Sequence, residues 1–161
     1  MTPAEAAAAL LRMMPPPLTT TQLDEYGISV SEADLSLISR EILSLNLYWI
    51  LAAIDAHIPP GYRAAIREML LRSIKATWWD KGFIGSGTWE DYLQELEERR
   101  ARYGYLVDYE GMSHMAVSAE TASLIEDHGF LSSEEDRNKL LVLLIDYAPA
   151  AHYGKLLEEA G

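Results

Sequence analysis

Apolar residues recur at spacings of three and four along most of the chain, which is the signature of one helix face. The strongest run passes through Leu35, Ile38, Ile42, Leu45 and Trp49 and predicts a helix over about 32–57. Ser31 with Asp34 three residues on gives it a capped start. Its second half, Leu47 to Ile54, is apolar on every side, so it belongs at the centre of a bundle. Pro59-Pro60-Gly61 then forces a turn. A second stripe of Tyr62, Ile66, Met69 or Leu70, Ile74 and Trp78 predicts a helix over about 61–79. Arg63, Arg67, Arg72 and Lys75 occupy its solvated face.

Weaker patterns fill in the rest. Thr2, Pro3 and Glu5 start a helix over about 3–14. Pro15–Pro17 is a stiff break, and Thr19–Thr21 can cap a short helical turn ending near Gly27. Thr88 with Asp91 opens a helix that stops before Gly111, with Gly104 as a candidate break. Its order of charge, acidic first and basic later, complements the helix dipole and suggests the pairs Glu95–Arg99 and Glu98–Arg102. A further helix is expected over about 113–128, closed by Gly129 with Phe130. The last two follow Ser132 and Pro149. The expected fold class is therefore all-α: a single-domain bundle of six or seven helices around a long central buried helix. Residues 1–30 form an N-terminal helix and proline-rich arm, and 31–161 the bundle.

Composition narrows the function classes. The 161 residues are 49% hydrophobic and 24% charged, ordinary for a globular domain of this size. There is no cysteine, which removes disulfides, thiolate nucleophiles, thiolate zinc sites and iron–sulfur clusters. The net charge of −12 repels phosphate backbones, so no nucleic-acid partner is expected. The charge is uneven: −5 over residues 1–62, +1 over 63–103 and −8 over 104–161. The first basic residue is Arg12, unlike the start of a signal peptide. The apolar stretch from Ile42 to Ile54 is too short to span a bilayer. A soluble cytoplasmic protein with no membrane partner is the expectation.

Three constellations carry candidate chemistry. Trp78, Trp79, Phe83 and Trp89 bracket a loop containing Lys81, Gly82, Gly85 and Gly87. Neighbouring helical residues point about 100° apart, so Trp78 and Trp79 cannot share one buried stripe. An exposed indole beside Lys81 has the composition of a protein-binding hot spot, against the alternative that the loop folds back and completes the core. The loop lacks the Gly-Lys-Ser/Thr of a phosphate cradle and follows a helix, so nucleotide binding is excluded there. The second constellation is Glu110 and His114 with Tyr105 and Tyr109, a candidate ligand site. In a helix Tyr105 and Tyr109 share a face while Tyr103 lies apart. Gly111 interrupts the Glu110–His114 spacing, and four scattered histidines define no metal centre; no metal and no cofactor are assigned. The third is the basic stripe Arg63, Arg67, Arg72, Lys75 and Lys81, which suits an acidic partner or the chain's own acidic helices.

No hydrolase elbow or zinc-protease motif is present and no catalytic residue is assigned. The leading expectation is a non-enzymatic protein-interaction module of adaptor, chaperone or immunity type. It would grip another protein through Trp78, Trp79, Lys81, Phe83 and Trp89. The alternative is a metal- or small-ligand-binding bundle, enzymatic or not, built on Tyr105, Tyr109, Glu110 and His114. A homodimer exchanging the 32–57 helix or the N-terminal arm is compatible with both.

Overall fold

The computed structural model describes residues 1–85, 87–129 and 133–160, and among these there is no strand. The helices are α1 (Pro3–Met13), α2 (Thr20–Glu25), α3 (Glu32–His57), α4 (Pro60–Ile74), α5 (Trp89–Asp108), α6 (His114–Glu126), α7 (Glu134–Tyr147) and α8 (Ala150–Ala160). A π-helical turn, Lys75–Trp79, prolongs α4. The chain is an all-α bundle; the short α2 is the helical turn expected after the proline run.

Local chemistry sets most ends. Thr2, Ser31 and Thr88 each accept a backbone N–H three residues on, from Glu5, Asp34 and Asp91, at 3.1, 3.2 and 3.1 Å. Thr19 and Gln22 form a reciprocal capping box on α2. Ser133, rather than Ser132, caps α7, accepting from the Asp136 N–H at 3.2 Å. Ser132 and Phe130 lie outside the described residues. Gly104 causes no break, and α5 runs unbroken through it.

α3 is the axle. Leu43, Leu47, Leu51 and Ile54 face one core with Leu10 of α1, Ile66, Leu70 and Ile74 of α4, and Tyr153 and Leu157 of α8. Leu35, Ile38, Ile42 and Leu45 face a second core with Leu23, Tyr103, Val117, Ile125 and Leu144. Trp49 packs against both. A helix that serves two cores has no polar stripe to spare, which explains its apolar second half. Residues 1–30 contribute Ala6, Ala7, Leu10 and Met14 to the first core and Leu18, Leu23 and Ile28 to the second. Tyr62, expected in the buried stripe of α4, is instead 59% exposed because it sits on the first turn, at the edge of the bundle.

Of the buried polar residues inside α3, Glu41, Ser44 and Asn46 are hydrogen-bonded through their side chains, while the Ser39 hydroxyl has no partner among the described residues. The Asn46 side-chain amide donates to the Ile42 and Tyr147 carbonyls at 3.0 and 2.8 Å. Its oxygen accepts from the Tyr153 hydroxyl at 2.8 Å. One amide thus ties α3 to the end of α7 and to α8, and satisfies a carbonyl left open at a helix terminus.

Glu32–His57 and Glu134–Glu159 are both long and apolar enough to cross a membrane by length and composition. The Ile42–Ile54 count had missed this by taking only part of the first. Within the bundle, 78% of the apolar window of Glu32–His57 is buried, and 33% of the other.

Burial pushes the phenols of Tyr92, Tyr103 and Tyr153 far above the ordinary tyrosine range. A hydrogen bond to the Asp146 carboxylate raises Tyr26 to about 12. A raised phenol pKa contributes stability that is complete below about 10 and is lost as pH climbs above that value. In an alkaline titration followed by tyrosinate absorbance, the three buried phenols should ionise only as helical circular dichroism collapses. Ionisation of all nine tyrosines in one step near the free value, before any loss of helix, would contradict this burial.

Candidate functional site

The tryptophan loop folds back on the bundle. Four-residue steps from Ile66 through Leu70 and Ile74 to Trp78 drift about 40° each on an α-helix. The wider π turn, in which the Asp80 N–H reaches the Lys75 carbonyl at 2.8 Å, takes up that drift. Trp78 therefore stays in line with the core and is 6% exposed. It is a core residue, so the exposed indole expected of a partner anchor is not found at Trp78. Trp79 is half-buried, its ring centroid 5.8 Å from that of Trp89 and 5.9 Å from that of Tyr92. Gly82 and Gly85, at φ +75° and +97°, let the loop reverse and seat Ile84 fully inside the first core. Phe83 is left outward, 46% exposed, beside exposed Lys81.

Under the loop runs a seam of charge that sequence reading missed. Glu41, in the middle of α3, is 2% exposed. Arg99 of α5 grips it with both arms, Nε to Oε2 at 3.0 Å and Nη2 to Oε1 at 2.8 Å. The His128 ring lies 3.9 Å from the same carboxylate. The carboxylate holds Arg99 protonated against the cost of its burial and raises its pKa. One turn away, Arg40 Nε donates to Glu95 at 2.5 Å. The Arg40 guanidinium lies 5.3 Å from the Trp79 ring centre and 5.1 Å from that of Tyr92, within cation–π range. It also donates to the Ile84 carbonyl at 3.4 Å, tethering the loop. Ser44 and the Tyr92 hydroxyl, 3.1 Å apart, complete the seam. The two arginines and two carboxylates match, so the seam organises packing and leaves no net charge for a ligand.

The tyrosines divide as their spacing predicts. Tyr103 is fully buried, its hydroxyl 2.8 Å from the Thr121 Oγ1. Tyr105 and Tyr109 stack on each other, centroids 5.4 Å apart and planes 25° from parallel. They are 55% and 82% exposed. Met112 and Met115 follow, both exposed, across the turn at Gly111 (φ +64°). Glu110 and His114 are exposed on either side of that turn. Among the described residues no group of three or more His, Asp or Glu side chains could hold a metal ion.

The basic stripe is occupied at home. Arg67 pairs with Asp55, Arg72 with Glu68 at 2.8 Å and Lys75 with Asp80 at 3.0 Å. Arg63 donates to the Ile58 carbonyl at 2.7 Å. The Glu95–Arg99 pair forms at 3.5 Å, but Arg102 crosses to Glu120 of α6 at 2.6 Å instead of Glu98.

Comparison of the chain with protein-family models, with curated proteins and with solved structures finds no match.

The two aromatic environments respond differently to truncation. Trp79→Ala removes the ring that Arg40, Trp89 and Tyr92 pack around and should cost about 2–3 kcal/mol of unfolding free energy. Phe83→Ala should stay within about 0.5 kcal/mol of the parent. Urea denaturation of both variants checks the order; a larger loss at Phe83 than at Trp79 would refute it.

Proposed function

We propose that this chain is a non-enzymatic protein-interaction module of adaptor, chaperone or immunity type, and that its contact surface is centred on Tyr105 and Tyr109. The observation that carries this reading is the stacked tyrosine pair held in solvent at the end of α5. Most of the other large rings serve packing or buried hydrogen bonds, and the exposed Tyr62 and Phe83 each stand without a stacked aromatic partner among the described residues. Tyr105 and Tyr109 serve neither purpose, and stiff amphipathic rings are what interface hot spots are made of. Exposed Met112 and Met115 add adaptable apolar surface at the same corner. Phe83 and Lys81 remain available as a second, smaller contact; Trp78, Trp79 and Trp89 serve the bundle.

Charge supports a basic partner. From residue 104 to residue 136 there are eight carboxylates and neither lysine nor arginine. Arg102, Arg137 and Lys139 pair with Glu120, Glu126 and Glu135, and the acidic excess that is left accelerates encounter with a cationic partner and discourages acidic ones. The expected setting is a soluble, cytoplasmic one.

Affinity capture from the native host with the parent chain, Tyr105→Ala/Tyr109→Ala and Phe83→Ala tests the reading. The double tyrosine variant should melt like the parent, since neither ring is buried, yet bind its partner more weakly by about 2 kcal/mol or more, roughly thirtyfold. Undiminished recovery of the same partner by that folded variant would refute the proposal.

A further inference from the structure

A cleft of about 500 Å³ lies elsewhere, between the second half of α3 and the second half of α5. That falls within the range of small-ligand pockets. Its depth comes from residues with little or no side chain, Ala52 and Ala56 on α3 and Gly104 on α5. Tyr48 and Trp49 form an aromatic wall, rings perpendicular-like at 65° with centroids 4.9 Å apart.

Three charged side chains line the cleft: Asp55, Arg100 and Asp108. Two are engaged. Asp55 is paired with Arg67, and Arg100 donates to Glu97 at 2.8 Å. Asp108 makes no ion pair and no side-chain hydrogen bond among the described residues. Tyr48 is 8% exposed, and its hydroxyl, which still reaches solvent, makes no hydrogen bond to another described residue. Burial, then the nearby Asp108 charge, raises its pKa against the opposing Arg100, and as a neutral phenol it can accept an N–H.

We propose that this cleft binds an organic cation, an alkylammonium or alkylguanidinium group, with Asp108 as its counterion, the Tyr48 hydroxyl as hydrogen-bond acceptor and the Trp49 ring as cation–π wall. A single unpaired carboxylate beside aromatic faces is the complement of one positive headgroup on a short aliphatic stem. Arg100, held by Glu97, sets the opposite edge of the cleft, and with two carboxylates to one guanidinium the lining carries a net negative charge that favours a cation over an anion. The cation can be a free amine or the side chain of a lysine or arginine on another protein. The inference stands on the cleft alone and does not require the Tyr105–Tyr109 surface to bind anything.

The indole N–H resonance of Trp49, assigned by its loss in Trp49→Phe, reports on the cleft. It should shift saturably with n-butylammonium and with Nα-acetyl-lysine methylamide, and not with n-butanol or butyrate. Asp108→Asn should weaken both cations by about tenfold or more. Because Asp108 is exposed and unpaired, that variant should keep the parent melting temperature. Equal affinity for the two cations marks a free-amine site; at least about tenfold tighter binding of a lysine-bearing tripeptide marks a partner's side chain. Absence of a saturable shift with either cation, or unchanged affinity in folded Asp108→Asn, would overturn the proposal. Loss of partner capture in the double tyrosine variant would leave this result untouched, so the two readings fail separately.

Discussion

A carboxylate buried in the middle of the central helix is the constraint around which the molecule is arranged. Glu41 is all but removed from water. An uncompensated charge there would cost several kcal/mol, more than a domain of this size can spare from its net stability. The two-armed grip of Arg99 offsets that cost, and it does so only if α5 lies at one height and one rotation on α3. Arg40 with Glu95, and Ser44 with Tyr92, repeat the constraint along the same seam. Hydrophobic burial supplies most of the stability, but it is tolerant of sliding; the bonded charges select the register.

That register sorts the aromatic residues. With Arg99 fixed toward Glu41, α5 turns Tyr92, Leu96 and Tyr103 into the bundle. It also holds Trp89 against Trp79, with Arg40 over the Trp79 and Tyr92 rings. The same rotation sends Tyr105 and Tyr109 outward. An aromatic cluster drawn inward at one end of α5 and a stacked pair presented at the other are consequences of one docking angle. The proposed contact surface therefore starts on the last turn of α5, at Tyr105, and continues through its cap, Tyr109. The cleft that exposes Asp108 lies along the same α3–α5 contact, where Ala52, Ala56 and Gly104 leave space between the helices.

Features that depend on near neighbours were legible in the sequence. Thr2, Ser31 and Thr88 announce helix starts because a capping bond spans three residues. The i, i+4 spacing of Tyr105 and Tyr109 predicts their shared face, and Gly111 the turn between Glu110 and His114. Features that depend on distant neighbours were not legible. Glu41 stands at the edge of the apolar run Ile42–Ile54, and nothing near it in the chain names Arg99, 58 residues on, as its partner. Arg40, Arg99 and Arg102 look alike in sequence, yet one covers indoles, one grips a buried carboxylate and one crosses to α6. The tryptophans left two arrangements open for a related reason. A strict 100° step separates Trp78 from Trp79, but the π turn alters that step and the loop, pinned by Ile84, brings Trp89 over to cover what remains. Ile84 itself, one apolar residue among glycines, carried no periodic signal.

The claim that the Glu41–Arg99 pair fixes α5 on α3 is tested most directly by a double-mutant cycle. Glu41→Gln, Arg99→Gln and the double variant would be compared with the parent by urea denaturation. Each single change leaves its partner charged and poorly answered in a buried site. The singles should each lose about 3 kcal/mol or more, and the double far less than their sum, a coupling of roughly 2 kcal/mol or greater. Losses that add to within about 0.5 kcal/mol would mean that the two side chains act independently and that α5 is positioned by something else.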